Sequence, residues 1–380
     1  MTPKPIRVPP YPPSTSLAGL EWLTASSRYP GTNSDMHWWT WGDDGELYFV
    51  DDDGHNFGLP WNFAHLLKAT GTPPHHTVTE ISAFPELARP DALRYRRYVD
   101  GALAVGSRLF VAAYDYDDSA AEERGYEFRH VDRISPHGGV ASLMFSDDYG
   151  RTWHNAPEAR EEGCDYFLGE RFAGLAFVGF GPGYTGLPER FGNYVYAISN
   201  DSNWETGDSM FVARVPRDRI LDRSAWEFYA GGDPEDPDWV DSEERAAPAL
   251  SNPGAIGHPT MTYDAGLGRF LLTFNTDSVP HSLDTSFEEA KRSWDKQSEL
   301  YVLEGASPWG PFGLVHFDGA WEYPHMPYLP QVPAKWLSED RLEGWMVFSG
   351  DYTVPAAQRG REGFEDYYGF VTRKFRLHRT

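Results

Sequence analysis

Cysteine is almost missing from this 380-residue chain, and its one copy, Cys164, excludes an intrachain disulfide and a structural zinc site built on several thiolates. Basic residues are scarce as well. Thirty-three Lys and Arg stand against 57 Asp and Glu, a formal net charge of −24, which argues against nucleic acid or an anionic membrane as the partner. No 18-residue apolar run is present, so no membrane-spanning helix is expected. The N-terminal run MTPKPIRVPPYPPSTS lacks the apolar centre of a secretory signal. Localisation is therefore open between the cytoplasm and a secreted protein whose leader has been removed. The prolines of that run predict an extended arm over residues 1–20, laid on one domain spanning 21–380. The histidines show no H-E-x-x-H spacing and there is no G-x-S-x-G elbow, so neither a metal nor a cofactor is expected, and an esterase is disfavoured. Composition leaves the oligomeric state open.

What the chain does have is turn residues and aromatics. Thirty-seven Gly, 30 Pro and 15% Phe, Trp and Tyr, with little helical periodicity, predict an all-β fold with many turns. Five segments repeat one pattern, a turn, a short aromatic and β-branched strand, and a polar break: GELYFVDDDG from Gly45, SRLFVAAYDYDD from Ser107, NYVYAISNDS from Asn193, GRFLLTFNTDS from Gly268 and GWMVFSGDY from Gly344. The later four are each followed by a further strand, as in DSMFVARVP and SELYVLEG. The economical arrangement is a five-bladed β-propeller, whose radial closure protects the edges of many short strands; six blades or a sandwich are the alternatives. The polar breaks would then share one rim.

Two local motifs have structural readings. Ser146 to Trp153, SDDYGRTW, fits the Asp-box pattern S-x-D-x-G-x-T-W of sialidase-like propellers, in which the Asp bonds turn amides while Thr and Trp pack beneath. Gly181 to Gly186, GPGYTG, matches G-x-G-x-x-G but precedes a strand and not a helix, which rejects a dinucleotide site. Asp51-Asp52-Asp53-Gly54 opens like a calcium loop and lacks the remaining ligand spacing.

The stretch from Ser34 to Gly54, SDMHWWTWGDDGELYFVDDDG, combines a hairpin pattern with carboxylates that strands normally avoid. Strict alternation places Asp35, His37, Trp39 and Trp41 on one face. A turn over Gly42 to Gly45 leaves Asp43 and Asp44 solvated at its tip, and brings Asp35 and Asp53 together at the open end. Two carboxylates beside aromatic rings can have their pKa values pushed apart, one serving as acid and the other as base or nucleophile, which is what glycoside hydrolysis uses. Asp35 and Asp53 are the candidate catalytic residues. His37, on the face of Asp35, His55 and Asn56, just past Asp53, and Trp39 as a stacking platform are candidate substrate contacts, joined by Tyr184 and His258; for Trp39 a core position is an equal alternative.

On these residues the chain resembles the domain-of-unknown-function family numbered 4185, whose characterised members include the glycoside hydrolase family 183 endo-D-arabinanases. The carriers are Asp35 with Thr40-Trp41 and Asp44-Gly45, then Leu47-Tyr48 and Asp53-Gly54, the strand NYVYAIS, the run ARVPRDRILDRSAWEFYAG from Ala213, TYDAGLGRFLLTF from Thr262, SPWGPF from Ser307 and AKWLSED from Ala334. The resemblance runs from about Gly31 onward and implies a five-bladed propeller whose active site takes two aspartates from its first blade, here Asp35 and Asp53. The chain departs from the family at His37, where Trp is frequent, and at Asp52, where Gly commonly precedes the second Asp-Gly. The expected partner is a polysaccharide or oligosaccharide. A glycan-binding propeller without turnover is the alternative reading, and a sialidase, suggested by the Asp box alone, ranks below both. The two aspartates should lie within about 10 Å, with separations near 5–5.5 Å implying retention and 6.5–9.5 Å inversion of the anomeric centre.

Overall fold

A computed structural model describes residues 7–60, 62–83, 95–117, 142–155, 167–172, 174–201, 207–277, 298–323, 325–350 and 368–380. Cys164 lies outside the described residues. Two short strands, β1 (Leu17–Trp22) and β2 (Ser27–Arg28), come first in the chain and belong to the last sheet. Blade 1 is β3 (Asp35–Trp41), β4 (Leu47–Gly54), β5 (Asn62–Thr70) and β6 (Thr77–Ala83); blade 2 is β7 (Tyr95–Val105), β8 (Arg108–Asp117), β9 (Ser142–Ser146) and β10 (His154–Asn155). Blade 3 joins β11 (Ala176–Phe177), β12 (Tyr194–Asn200), β13 (Gly207–Pro216), β14 (Glu227–Asp233), β15 (Asp236–Val240) and β16 (Leu250–Ile256). Blade 4 is β17 (Thr260–Asp264), β18 (Arg269–Asp277), β19 (Ser298–Gly305) and β20 (Phe312–Trp321). Blade 5 is β21 (Tyr328–Gln331), β22 (Glu343–Ser349) and β23 (Val371–Arg379), completed by β1.

The five sheets form a five-bladed propeller. The first strands β3, β7, β11, β17 and β21 contact one another in a closed ring. Each of the five repeated segments supplies the second strand of a blade, β4, β8, β12, β18 and β22, so the turn before it and the polar break after it recur once per blade. Because first and second strands are antiparallel, first strands begin and second strands end on one rim. Alternating apolar side chains fill the spaces between blades. Phe49, Trp336 and Phe370 join blades 1 and 5, while Leu271, Val302, Met346 and Phe348 join blades 4 and 5.

The ring is closed by β1 against β23, with Leu17 opposite Arg379 and Leu20 opposite Leu377. The expected N-terminal arm therefore ends earlier than residue 20: its last four residues, from Leu17, are already strand, and an irregularity between Leu17 and Gly19 lets Leu17 and Leu20 both bury against blade 5. Ahead of them Pro13 bridges Leu314, and Ser14 Oγ donates to the Glu304 carboxylate at 2.8 Å, strapping the arm to blade 4.

Asp43 and Asp44 are exposed at the tip of the first hairpin, yet each accepts a tyrosine hydroxyl, from Tyr149 of blade 2 and from Tyr48, both at 2.8 Å. Beyond Ser146 the chain closes on Asp148, whose Oδ1 accepts from the Arg151 and Thr152 amides at 3.0 and 2.9 Å, and whose Oδ2 accepts from Thr152 Oγ1 at 2.8 Å. The Thr152 amide foremost holds this carboxyl down at about 2. Asp148→Ala is expected to lower unfolding stability by about 1 kcal/mol, seen as a smaller denaturation midpoint, with no change in ligand affinity or turnover.

Candidate active site

The first hairpin does not keep the strict alternation of its sequence. Asp35 pairs with Asp52, but the next pair is Trp38 with Val50, so β3 carries one extra residue. Met36 and His37 absorb it in left-handed conformations, with φ of 70° and 43°. The bulge turns His37 away from the rim: its ring is fully buried, 5.1 Å from that of Phe370, and burial drives its pKa down to about 3. His37 is thus a neutral core residue and not a substrate contact. Trp39 likewise packs in the core between blades 1 and 5, its ring over Gly179, where an added Cβ would come within 2.4 Å.

The other candidate contacts divide. Asn56 is buried as a latch, its Nδ2 donating to Asp51 Oδ2 at 2.9 Å and its Oδ1 accepting the Asn33 amide at 3.0 Å; the Ser34 hydroxyl lies against both. Tyr184 is buried too, its hydroxyl accepting the Tyr196 amide at 2.8 Å. Neither can reach a sugar. His258 is buried just ahead of β17, edge-on to Trp38 at 5.9 Å, with burial pushing its pKa to about 3. His55 alone stays exposed at the rim, its Nε2 2.8 Å from Asn33 Nδ2.

The two expected aspartates sit around a third. Asp35 begins β3 and its Oδ2 accepts the Tyr328 hydroxyl at 2.6 Å. Asp53, one residue before the end of β4, is in a left-handed conformation, φ 43°, and its carbonyl accepts the Tyr368 hydroxyl at 2.6 Å. Between them Asp52, opposite Asp35 in register, is 3% exposed and accepts the Val99 amide at 3.1 Å. Burial first, then the charges of Asp35 and Asp53, push the Asp52 carboxyl far above the carboxylate range, with Asp100 adding to the effect. Asp100, on the first strand of blade 2, is buried and pushed up by that burial. Tyr114, stacked on Tyr98 with ring centres 5.5 Å apart, is raised by burial and then by Asp52 and Asp100. One rim thus brings two carboxyls whose burial favours the neutral form beside Asp35, whose Oδ2 accepts a phenol hydroxyl.

Sequence reasoning missed Asp52, Asp100, Tyr98, Tyr114, Tyr328 and Tyr368. One signal was present: YVDGALAV places Asp100-Gly101 inside a β-rich run, the same anomaly that drew attention to Asp53-Gly54. Despite the crowding, no group of three or more His, Cys, Asp or Glu is arranged to hold a metal ion among the described residues. A small depression lined by Trp39, Trp41, Ala104, Phe180 and Tyr184 lies toward the far ends of the first strands, and none of its lining residues is a carboxylate.

Behind Asp53, His65 of β5 places Nε2 3.1 Å from the Gly54 carbonyl and Nδ1 3.2 Å from Glu80 Oε2. Burial alone would lower its pKa, but the Glu80 contact, Asp51 and the Gly54 carbonyl together raise it to about 9. A folded value above the ordinary 6.5 means that His65 stabilises the fold fully below pH 6.5 and loses that contribution as pH climbs through 9. Asp51, raised by burial to about 7, acts in the same direction at lower pH. The melting temperature is expected to fall between pH 6.5 and 9, and the slope to flatten in His65→Gln/Glu80→Gln, which separates this pair from the general repulsion of an acidic chain.

These features define an all-β propeller with a carboxylate and phenol cluster where its first blade meets blades 2 and 5. The chain belongs to the family described as a domain of unknown function (DUF4185), which matches residues 124–328. That span begins after blade 1, so Asp35 and Asp53 lie outside it. No curated protein matches the chain. Among solved structures, a provisionally assigned hydrolase from Bacteroides ovatus is 12% identical with a TM-score of 0.50, covering 93% of this chain and 87% of its own. A family 43 glycoside hydrolase from Xanthomonas citri (10% identity, TM-score 0.47, 93% and 89% covered) and an α-L-arabinofuranosidase from Podospora anserina (8%, 0.43, 97% and 98%) are also similar.

Proposed function

We propose that the protein is a glycoside hydrolase of endo-D-arabinanase type, cleaving furanosidic glycans with Asp35 and Asp53. The observation that carries this reading is the meeting of both residues at Asp52, on the rim where every second strand ends. The Tyr328 hydroxyl fixes the Asp35 carboxyl on this rim, where one aspartate of the pair attacks the anomeric carbon or takes a proton from the attacking water. The other aspartate gives its proton to the departing glycosidic oxygen, so that the C–O bond breaks with no alkoxide released. Neutral Asp52 adds no third charge between them.

The test is digestion of arabinan and a broad glycan panel, with products read by mass spectrometry and the anomeric configuration of the first product by NMR. Release of furanose oligomers supports the assignment. Binding of a glycan with no new reducing ends returns the protein to a glycan-binding propeller.

A further inference from the structure

Asp53 occupies a backbone conformation that an aspartate adopts only at a cost, and three contacts from outside its own strand hold it there. The Tyr368 hydroxyl, from blade 5, grips the Asp53 carbonyl at 2.6 Å. The Asn33 carbonyl accepts the His55 amide at 2.9 Å and packs so tightly on Gly54 that no Cβ fits. From inside blade 1, His65 Nε2 meets the Gly54 carbonyl at 3.1 Å. A carbonyl can only accept, so Nε2 carries a proton; Nδ1, facing the Glu80 carboxylate at 3.2 Å, carries the other. The ring is fully buried, with Glu80 Oε2 as its ion-pair partner.

We infer that the His65–Glu80 pair is the positioning device of Asp53: the imidazolium, oriented by Glu80, pins the Gly54-His55 peptide, the unit next after the one Tyr368 holds, from the interior of blade 1 and so sets where the Asp53 carboxylate stands relative to Asp52 and Tyr114. His65 touches no substrate and acts through the backbone alone. The inference rests on the two-aspartate reading for its catalytic consequence and on geometry for the positioning itself. A misplacement of a reacting group by about 1 Å costs on the order of 10²-fold in rate, so a loosened peptide should be visible in turnover.

His65→Leu alone would strand a buried carboxylate and could fail to fold, so two double variants are compared. His65→Leu/Glu80→Leu removes the donor and the charge together; His65→Gln/Glu80→Gln returns a neutral N–H toward the Gly54 carbonyl. The leucine pair is expected to lower kcat about tenfold or more with KM within about twofold, and the glutamine pair to recover most of that loss. In protein labelled selectively at aspartate, the 13Cα and 13Cβ shifts of Asp53 should leave their left-handed values in the leucine pair and return in the glutamine pair. Unchanged Asp53 shifts in the leucine pair overturn the inference, whatever happens to activity. If the wild-type protein hydrolyses no glycan, the two-aspartate reading fails while the shifts still decide the positioning.

Discussion

Asp35→Asn and Asp53→Asn are each expected to slow glycan hydrolysis by about 10²-fold or more while the melting temperature stays level or rises slightly. The asparagine at 35 can still accept the Tyr328 hydroxyl, so the shape of the site survives and only the charge is lost. Stability should not suffer, because asparagine keeps the size of the aspartate it replaces and much of its hydrogen-bonding capacity. The pairing of a large kinetic loss with an undiminished melting temperature is what distinguishes a reacting carboxylate from a structural one. Steady-state rates on whichever glycan the panel identifies, set beside thermal melts, supply the check. Activity within a few-fold of wild type in one variant would remove that residue from the mechanism.

The largest structural effect should come from adding one carbon. A Cβ on Gly54 would lie 2.0 Å from the Asn33 carbonyl oxygen and 2.7 Å from Ser34 Cα, both backbone atoms that cannot rotate away. Relieving the clash means separating the open end of the first hairpin from the segment before it, with loss of the His55 amide bond to Asn33 and of the His65 contact. Gly54→Ala is therefore expected to destabilise by about 3 kcal/mol or more and to abolish turnover. Gly45→Ala is the natural control: its φ of 83° strains an alanine, but nothing lies within 4 Å of the added carbon, and about 1 kcal/mol is the expected cost. Urea midpoints of the two variants test the contrast, and similar values would mean that the Gly54 contact relaxes freely.

The blades were legible because their signal is local and repeated. A turn, an aromatic strand and a polar break fall within about ten residues, and all five instances proved to be second strands. The open end of the first hairpin was legible for the same reason, since acids beside strands stand out. Which face each side chain takes was not. One inserted residue at Met36-His37 overturns the period-2 reading for His37, and no pattern announces a bulge before its partner strand is known. Asn56 looked like a polar residue beside a site, yet Asp51 needs a donor once it is buried, and Asn56 answers that need. Tyr328 and Tyr368 come from the fifth blade, and only ring closure brings their hydroxyls to the first.

That closure has a consequence for synthesis. β1 is translated before the first four blades and β23 after them, so a growing chain must hold an edge strand open while those four blades are made. Meanwhile Asp35 and Asp53 lack their fifth-blade phenols. The acids of blades 1 and 2 can meet early, but the Tyr328 and Tyr368 hydroxyls reach them only when blade 5 docks, so a chain stalled on the ribosome before blade 5 is made would carry both aspartates without the phenols that hold them.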